Sequence, residues 1–171
     1  MENYLAIAKI DNTQLSNIST VVEFTFYLYM FREIVYGRRA KKMYYILLFA
    51  YPIVALTNIF FIQRNGFHTM TYALGCLLII GSCIYYFWEL FQRPSSVNLG
   101  RQPAFWICSG LLFYYTCNFP LYGAVNLLKV LPRVILSNLL AILVLLNILL
   151  YLSFTIAFLC RLKTRKFMSS L

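Results

Sequence analysis

The chain has 171 residues, of which 61% are hydrophobic and 12% are charged. That charged share is about half the usual value for a soluble domain, and it leaves too little polar surface for a soluble monomer. The formal net charge is +10, but the basic residues are grouped between long apolar runs. This pattern is typical of contact with anionic membrane lipids and speaks against nucleic acid as a partner.

Five apolar runs separated by short polar segments predict an all-α fold, a polytopic transmembrane bundle of five spans in one domain. A helix needs about 20 apolar residues to cross ~30 Å of hydrocarbon. The predicted segments are a polar leader at 1–17, a bundle at 18–160 with spans at about 18–36, 43–62, 70–91, 103–122 and 134–159, and a basic cytoplasmic tail at 161–171.

Two prolines carry information about these spans. Pro52 lies inside the second run, where it removes one backbone hydrogen bond and predicts a kink. Pro103 opens the fourth run, a position that the first turn of a helix tolerates. We therefore expect the fourth helix to begin at Pro103.

The basic residues predict the orientation. Counting alternate segments assigns ten lysines and arginines to one side, in the loops 37–42 and 92–102 and in the tail, against four on the other side. Cytoplasmic segments carry the excess of positive charge. The expected topology therefore has the N-terminus outside and the C-terminus in the cytoplasm.

No pattern of catalytic or metal-binding residues is present. All five cysteines fall inside apolar runs, none forms a CxxC pair, and His68 is the only histidine. A disulfide framework and a zinc site are therefore not expected, and the cysteines are interpreted as small buried side chains. Nucleotide-binding and hydrolase motifs are also absent, so we expect no enzyme activity and no cofactor.

Four polar residues form the candidate ligand-binding set: Glu23, Asn58, Asn118 and Asn138. With the predicted orientation they lie in the outer halves of their helices, and His68 lies in the loop above. An ionisable group inside the apolar slab is costly and tends to face a cavity or a partner. The alternative is that each residue makes a separate hydrogen bond that joins two helices.

Two further features concern the helix surfaces. Glu89 and Arg93 are four residues apart and predict an ion pair at the cytoplasmic face, either switchable or simply interfacial. Asn147 lies half a turn away from Asn138 on the fifth helix. Asn147 is therefore expected to contact a neighbouring helix or a second subunit.

Several aromatic segments resemble a family of small bacterial integral membrane proteins. These segments are VVEFTFYLYMF (21–31), IYYFWELFQ (84–92), PAFWICSGLLFYYTCNFPLYG (103–123) and NILLYLSFTIAFLCRLK (147–163). The resemblance implies about seven spans, a cytoplasmic C-terminus and a genetic neighbourhood with histidine kinases or response regulators. Because few residues precede the helix that bears Glu23, the chain is expected to correspond to the last five spans, as a shortened paralogue or an incomplete reading frame.

The leading functional hypothesis is a non-catalytic sensory or accessory component of the bacterial inner membrane. Its expected partners are membrane lipids and either a membrane signalling protein or a second copy of the chain. The alternative is a small transporter or channel subunit, which requires a polar path through both leaflets. The scarcity of polar groups beyond Asn147 counts against transport by a single chain.

Overall fold

The computed structural model describes residues 2–62, 68–92, 99–123 and 133–168, and these residues are helical apart from short connections, with no strand among them. Within the helices, side chains are described except at 2–14, 60, 62, 121–123, 133–137, 140 and 162–168. In chain order the elements are α1 (Glu2–Ile34), α2 (Arg38–Thr57), a π-helical segment (Asn58–Ile62), α3 (Thr69–Phe91), a 3₁₀ turn (Leu99–Arg101), α4 (Pro103–Gly123) and α5 (Arg133–Met168).

The helices lie where the apolar runs predicted them. Helix α4 begins at Pro103 as expected, because proline has no N–H to lose in a first turn. Helix α1 is the main difference, since it begins at Glu2 and so includes most of the predicted polar leader. Gly37 separates α1 from α2 in an extended conformation, with φ −63° and ψ 125°.

The chain divides into two compact units, which are Met1–Ile79 and Ile80–Leu171. Residues of α3 belong to both units. In the first unit α1 packs against α2. Phe31 of α1 stacks on Tyr44 of α2, with ring centroids 6.2 Å apart. Phe24 and Leu28 are also fully buried, so this unit has a largely aromatic core.

In the second unit α4 packs against α5. The two helices approach closely at Gly110, where an added Cβ would lie only 2.7 Å from the Cβ of Ser153. Leu111, Leu146 and Leu150 are buried in this unit. Small residues at the crossing let two helix backbones approach closely, as is common between membrane helices.

The outward surfaces of both units are apolar. Two helical segments, Thr69–Phe91 and Ala141–Arg161, are long and apolar enough by length and composition to cross a membrane. Exposed large apolar side chains occur on every helix, for example Val22 and Phe26 on α1, Phe49 and Ile53 on α2, Leu77 and Ile84 on α3, Phe113 on α4, and Ile148 and Leu152 on α5.

Candidate functional site

The four predicted site residues fall into the two units. Glu23 and Asn58 belong to the first unit, where Glu23 is exposed and Asn58 is buried. Asn118 and Asn138 belong to the second unit, where Asn118 is buried and Asn138 is exposed. Asn58 joins a polar cluster within the first unit, which is described next.

The polar cluster consists of Tyr51, Asn58, His68 and Thr71, and all four residues are buried. Asn58 Nδ2 donates to Thr71 Oγ1 at 3.1 Å, and Thr71 Oγ1 in turn donates to the carbonyl of His68 at 3.3 Å. The Tyr51 hydroxyl donates to the carbonyl of Thr71 at 3.4 Å. Thr71 therefore connects the end of α2 to the beginning of α3 through side chain and backbone together.

Two local features of α2 lie in the chain just before Asn58. Pro52 lies inside the helix and cannot donate a backbone hydrogen bond. Thr57 Oγ1 donates to the carbonyls of Ile53 and Val54, and the π-helical segment begins at the next residue, Asn58. Such wide turns occur mostly as single insertions in α-helices, frequently at functional sites.

Contacts between aromatic rings position the Tyr51 ring. Phe24 meets both Tyr51 and Tyr72 edge to face, with centroid distances of 5.7 Å and 5.6 Å. Gly75 accommodates the Phe24 ring, because an added Cβ there would lie 2.7 Å from two ring carbons. Edge-to-face pairs add specific stabilisation to the burial of the rings, so the Tyr51 hydroxyl is held in a fixed direction.

Glu23 lies next to the polar cluster without being enclosed by it. It directly precedes Phe24, whose ring contacts Tyr51, and its own side chain is exposed. Burial lowers the pKa of His68, which precedes α3 and lies outside the predicted spans. The arrangement therefore combines neutral hydrogen-bonding groups with a carboxylate at their edge.

The groups of the polar cluster can bind a polar ligand. The cluster contains hydroxyl, amide and imidazole groups, but the described residues hold no group of three or more His, Cys, Asp or Glu side chains that would bind a metal ion. Hydroxyl and amide groups with a nearby carboxylate suit a hydroxylated or cationic ligand. Tyr51 and Thr71 were not predicted as site residues, because an isolated tyrosine or threonine in an apolar run carries no sequence signal.

In the second unit, Asn118 makes its hydrogen bond within its own helix. Its Nδ2 donates to the carbonyl of Tyr114 in the same helix, and its buried Oδ1 accepts no hydrogen bond from the described residues. No hydrogen bond joins Asn118 to Asn138 within this part of the chain. The second unit therefore does not assemble the pair of asparagines into a hydrogen-bonded site.

The predicted ion pair of Glu89 with Arg93 is only half described, because Arg93 lies outside the described residues. Glu89 itself is half-buried near the end of α3. An ion pair is present at the end of α1, where Arg32 and Glu33 approach to 3.7 Å. The Arg32 guanidinium also lies 5.6 Å from the centroid of the Tyr45 ring, so two weak contacts hold this cation at the helix end.

Comparison of the chain with protein-family models, with curated proteins and with solved structures finds no match. The resemblance to small bacterial membrane proteins therefore stays a prediction.

Proposed function

We propose that this protein is a five-span integral protein of the bacterial inner membrane with a non-catalytic sensory or accessory role. The N-terminus lies outside the cell and the C-terminus lies in the cytoplasm. The polar cluster and Glu23 then lie towards the outer face of the bilayer. The exposed cations of segment 37–42, which includes the first turn of α2, lie at the cytoplasmic face, where they contact anionic lipids or a membrane signalling protein.

The observation that carries the proposal is the distribution of polarity. Large apolar side chains are exposed on all five helices, whereas Asn58, His68, Thr71 and Asn118 are buried. Soluble monomers rarely expose contiguous apolar patches larger than a few hundred Å². Hydrocarbon around the helices would make this distribution favourable, since these four buried polar groups avoid lipid and the exposed apolar side chains avoid water.

Contacts in the second unit support a shared side for two of the basic segments. Trp106 Nε1 donates to the carbonyl of Gly100 at 3.0 Å, and Cys160 Sγ contacts the same carbonyl at 3.5 Å. The beginning of α4 and the end of the apolar part of α5 therefore meet at one end. Arg101 and Arg161 are exposed there, which fits a shared cytoplasmic side for two of the three basic segments.

The polar cluster supports a sensory role over a purely structural one. Its hydrogen bonds join the π-helical segment to the beginning of α3, so a ligand that competes for Thr71 would alter the contact between the two helices. Glu23 provides an anionic contact at the edge of the cluster for a cationic or hydroxylated ligand. Such coupling of a ligand to a helix contact is how a small membrane protein passes a signal to a partner.

Single-cysteine labelling in intact cells tests the topology. Cysteine at Asn65 should react with an impermeant thiol reagent, and cysteine at Ser95 should react only after the cells are opened. The parent protein is the control, because its cysteines lie in apolar helices and should react weakly. Strong labelling of Ser95 in intact cells would reverse the orientation and remove the outward site.

Retention of the protein in membranes after alkaline extraction tests the proposal at a coarser level. An integral protein remains in the pellet, whereas a peripheral one is released. Release of the full-length chain would contradict the membrane-spanning proposal as a whole.

A further inference from the structure

Tyr151 lies at the centre of the apolar segment Ala141–Arg161 of α5, about 15 Å from each end at helical rise. Its side chain is 64% exposed, and its hydroxyl makes no hydrogen bond within the described residues. If α5 spans the membrane as proposed above, this hydroxyl faces the middle of the hydrocarbon layer. A hydroxyl without a hydrogen-bond partner is unfavourable there.

Other polar groups of α5 avoid this problem by bonding to their own helix. Ser153 Oγ donates to the carbonyl of Leu149, and Thr155 Oγ1 donates to the carbonyl of Tyr151. The Tyr151 hydroxyl is at the far end of a rigid ring and cannot reach back to the backbone in this way. Among the described residues it makes no hydrogen bond to its own helix, Asn147 included, so a group on another helix is left to satisfy it.

Asn147 supplies a complementary group one turn away. Its Nδ2 donates to the carbonyl of Leu143, so its Oδ1 remains available as an acceptor among the described residues. Asn147 is four residues before Tyr151, and the two therefore lie within about 40° of each other around the helix. A donor and an acceptor thus lie on the same side of α5.

We infer that two copies of this protein associate in parallel through α5, with Tyr151 of each copy donating to Asn147 Oδ1 of the other. Helical side chains point towards the N-terminus, so the tyrosine hydroxyl lies about one turn, ~5.4 Å, N-terminal to its own Cα. In a parallel pair that level is occupied by Asn147 of the second copy. A two-fold axis forms the contact twice.

The remaining surface of α5 fits this arrangement. Val144, Tyr151 and Phe158 repeat every seven residues and form an exposed stripe, defined here as the tyrosine stripe. Leu145, Leu152 and Leu159 form a second exposed stripe with the same spacing, but it has no polar side chain. A seven-residue repeat is the spacing with which two helices pack over several turns. The two stripes are therefore matched in exposure and differ in hydrogen-bonding capacity.

Association in vesicles tests the inference. Wild type and variants of the full-length chain would carry donor and acceptor fluorophores at the C-terminus, and energy transfer would be followed as the lipid-to-protein ratio rises. Because hydrogen bonds between membrane helices are individually weak, Tyr151→Phe should raise the apparent dissociation constant by roughly tenfold. Asn147→Leu should have a similar effect. Tyr29→Phe is the control, since Tyr29 is exposed near the end of α1 and should leave association unchanged.

Cysteine crosslinking in membranes tests the geometry. With the two partly exposed cysteines, Cys117 and Cys160, replaced by serine, cysteine at Val144 or Phe158 should give a disulfide-linked dimer on oxidation. Cysteine at Leu145 or Leu159 should give little. Equal crosslinking on both stripes, or none, would overturn the inference.

The inference rests on the proposed membrane-spanning function, and the two fail in different ways. A chain released by alkaline extraction contradicts both. A chain that stays in the membrane but shows no energy transfer in wild type contradicts the association alone. Energy transfer that Tyr151→Phe leaves unchanged also contradicts it.

Discussion

The two units join their helices by different means. The first unit places buried polar groups between α2 and α3, where Thr71 receives hydrogen bonds from Tyr51 and Asn58. The second unit brings α4 and α5 together at Gly110 and Ser153, with aliphatic side chains around them. Hydrogen bonds fix the direction of a contact and can be exchanged for bonds to a polar ligand, whereas close packing depends on the volume of the side chains. The first unit is therefore the better place for a response to a ligand, and the second is the better place for a rigid support.

The largest expected effect comes from adding one methyl group at a close contact. Gly110→Ala would place a Cβ against Ser153, and Gly75→Ala would place one against the buried ring of Phe24. Overpacking of this kind typically costs about 1–3 kcal/mol. Thermal unfolding of the purified protein in detergent should show both variants to be less stable than wild type.

Gly81→Ala is the matched control on α3, because an added Cβ there meets no atom within 4 Å. This variant should be neutral or slightly more stable, since alanine favours helix more than glycine does. Equal destabilisation by Gly81→Ala would mean that loss of glycine itself, and not contact, causes the effect. A neutral Gly110→Ala would contradict the tight crossing of α4 and α5.

A smaller effect is expected from the polar cluster. Asn58→Leu removes a buried hydrogen bond to Thr71, and one such bond between membrane helices contributes about 0.6 kcal/mol, at most ~1.7. The yield of folded protein should fall modestly. Glu23→Leu is the comparison, because Glu23 is exposed and removing its charge should leave the yield unchanged or raise it.

Glu23→Gln separates binding from folding. It keeps the shape and hydrogen-bonding capacity of the side chain and removes the charge. If Glu23→Gln gives a normal yield of folded protein but no longer binds a cationic or hydroxylated ligand that wild type binds, the carboxylate has a role in ligand binding. A lower yield for Glu23→Leu but not for Glu23→Gln would instead make Glu23 a structural contact between helices.

The smallest expected effect comes from His68, which should make the free energy of unfolding depend on pH. Burial lowers its folded-state pKa below the ordinary value of 6.5, so the unfolded chain takes up a proton first as the pH falls. The stability linked to neutral His68 is therefore fully present above about pH 6.5 and decreases below it, towards the folded-state pKa. Unfolding of wild type and His68→Gln would be compared across this range.

His68 is the only histidine in the chain, which makes the comparison specific. The difference in stability between the two proteins should change with pH only below about 6.5, because the carboxylates contribute equally to both. A constant difference across the range would show that His68 does not gain or lose a proton differently on folding.

The helices could be predicted from the sequence because each run is long, apolar and bounded by basic or turn-forming residues. The start of α4 at Pro103 is the clearest case. Of the four candidate site residues, Asn58 and Asn118 are buried, whereas Glu23 and Asn138 are exposed. The extension of α1 back to Glu2 was not predicted, because a polar stretch carries no periodic apolar pattern.

Only the tertiary structure decided which side chains meet. The hydrogen bonds of Tyr51 and Asn58 with Thr71 join two helices that are separated by a loop. A helix that is apolar on nearly every side can rotate about its axis without changing its hydropathy pattern, so its sequence does not specify the buried face. Packing of rings and glycines selects that face, and with it the neighbours of each polar group.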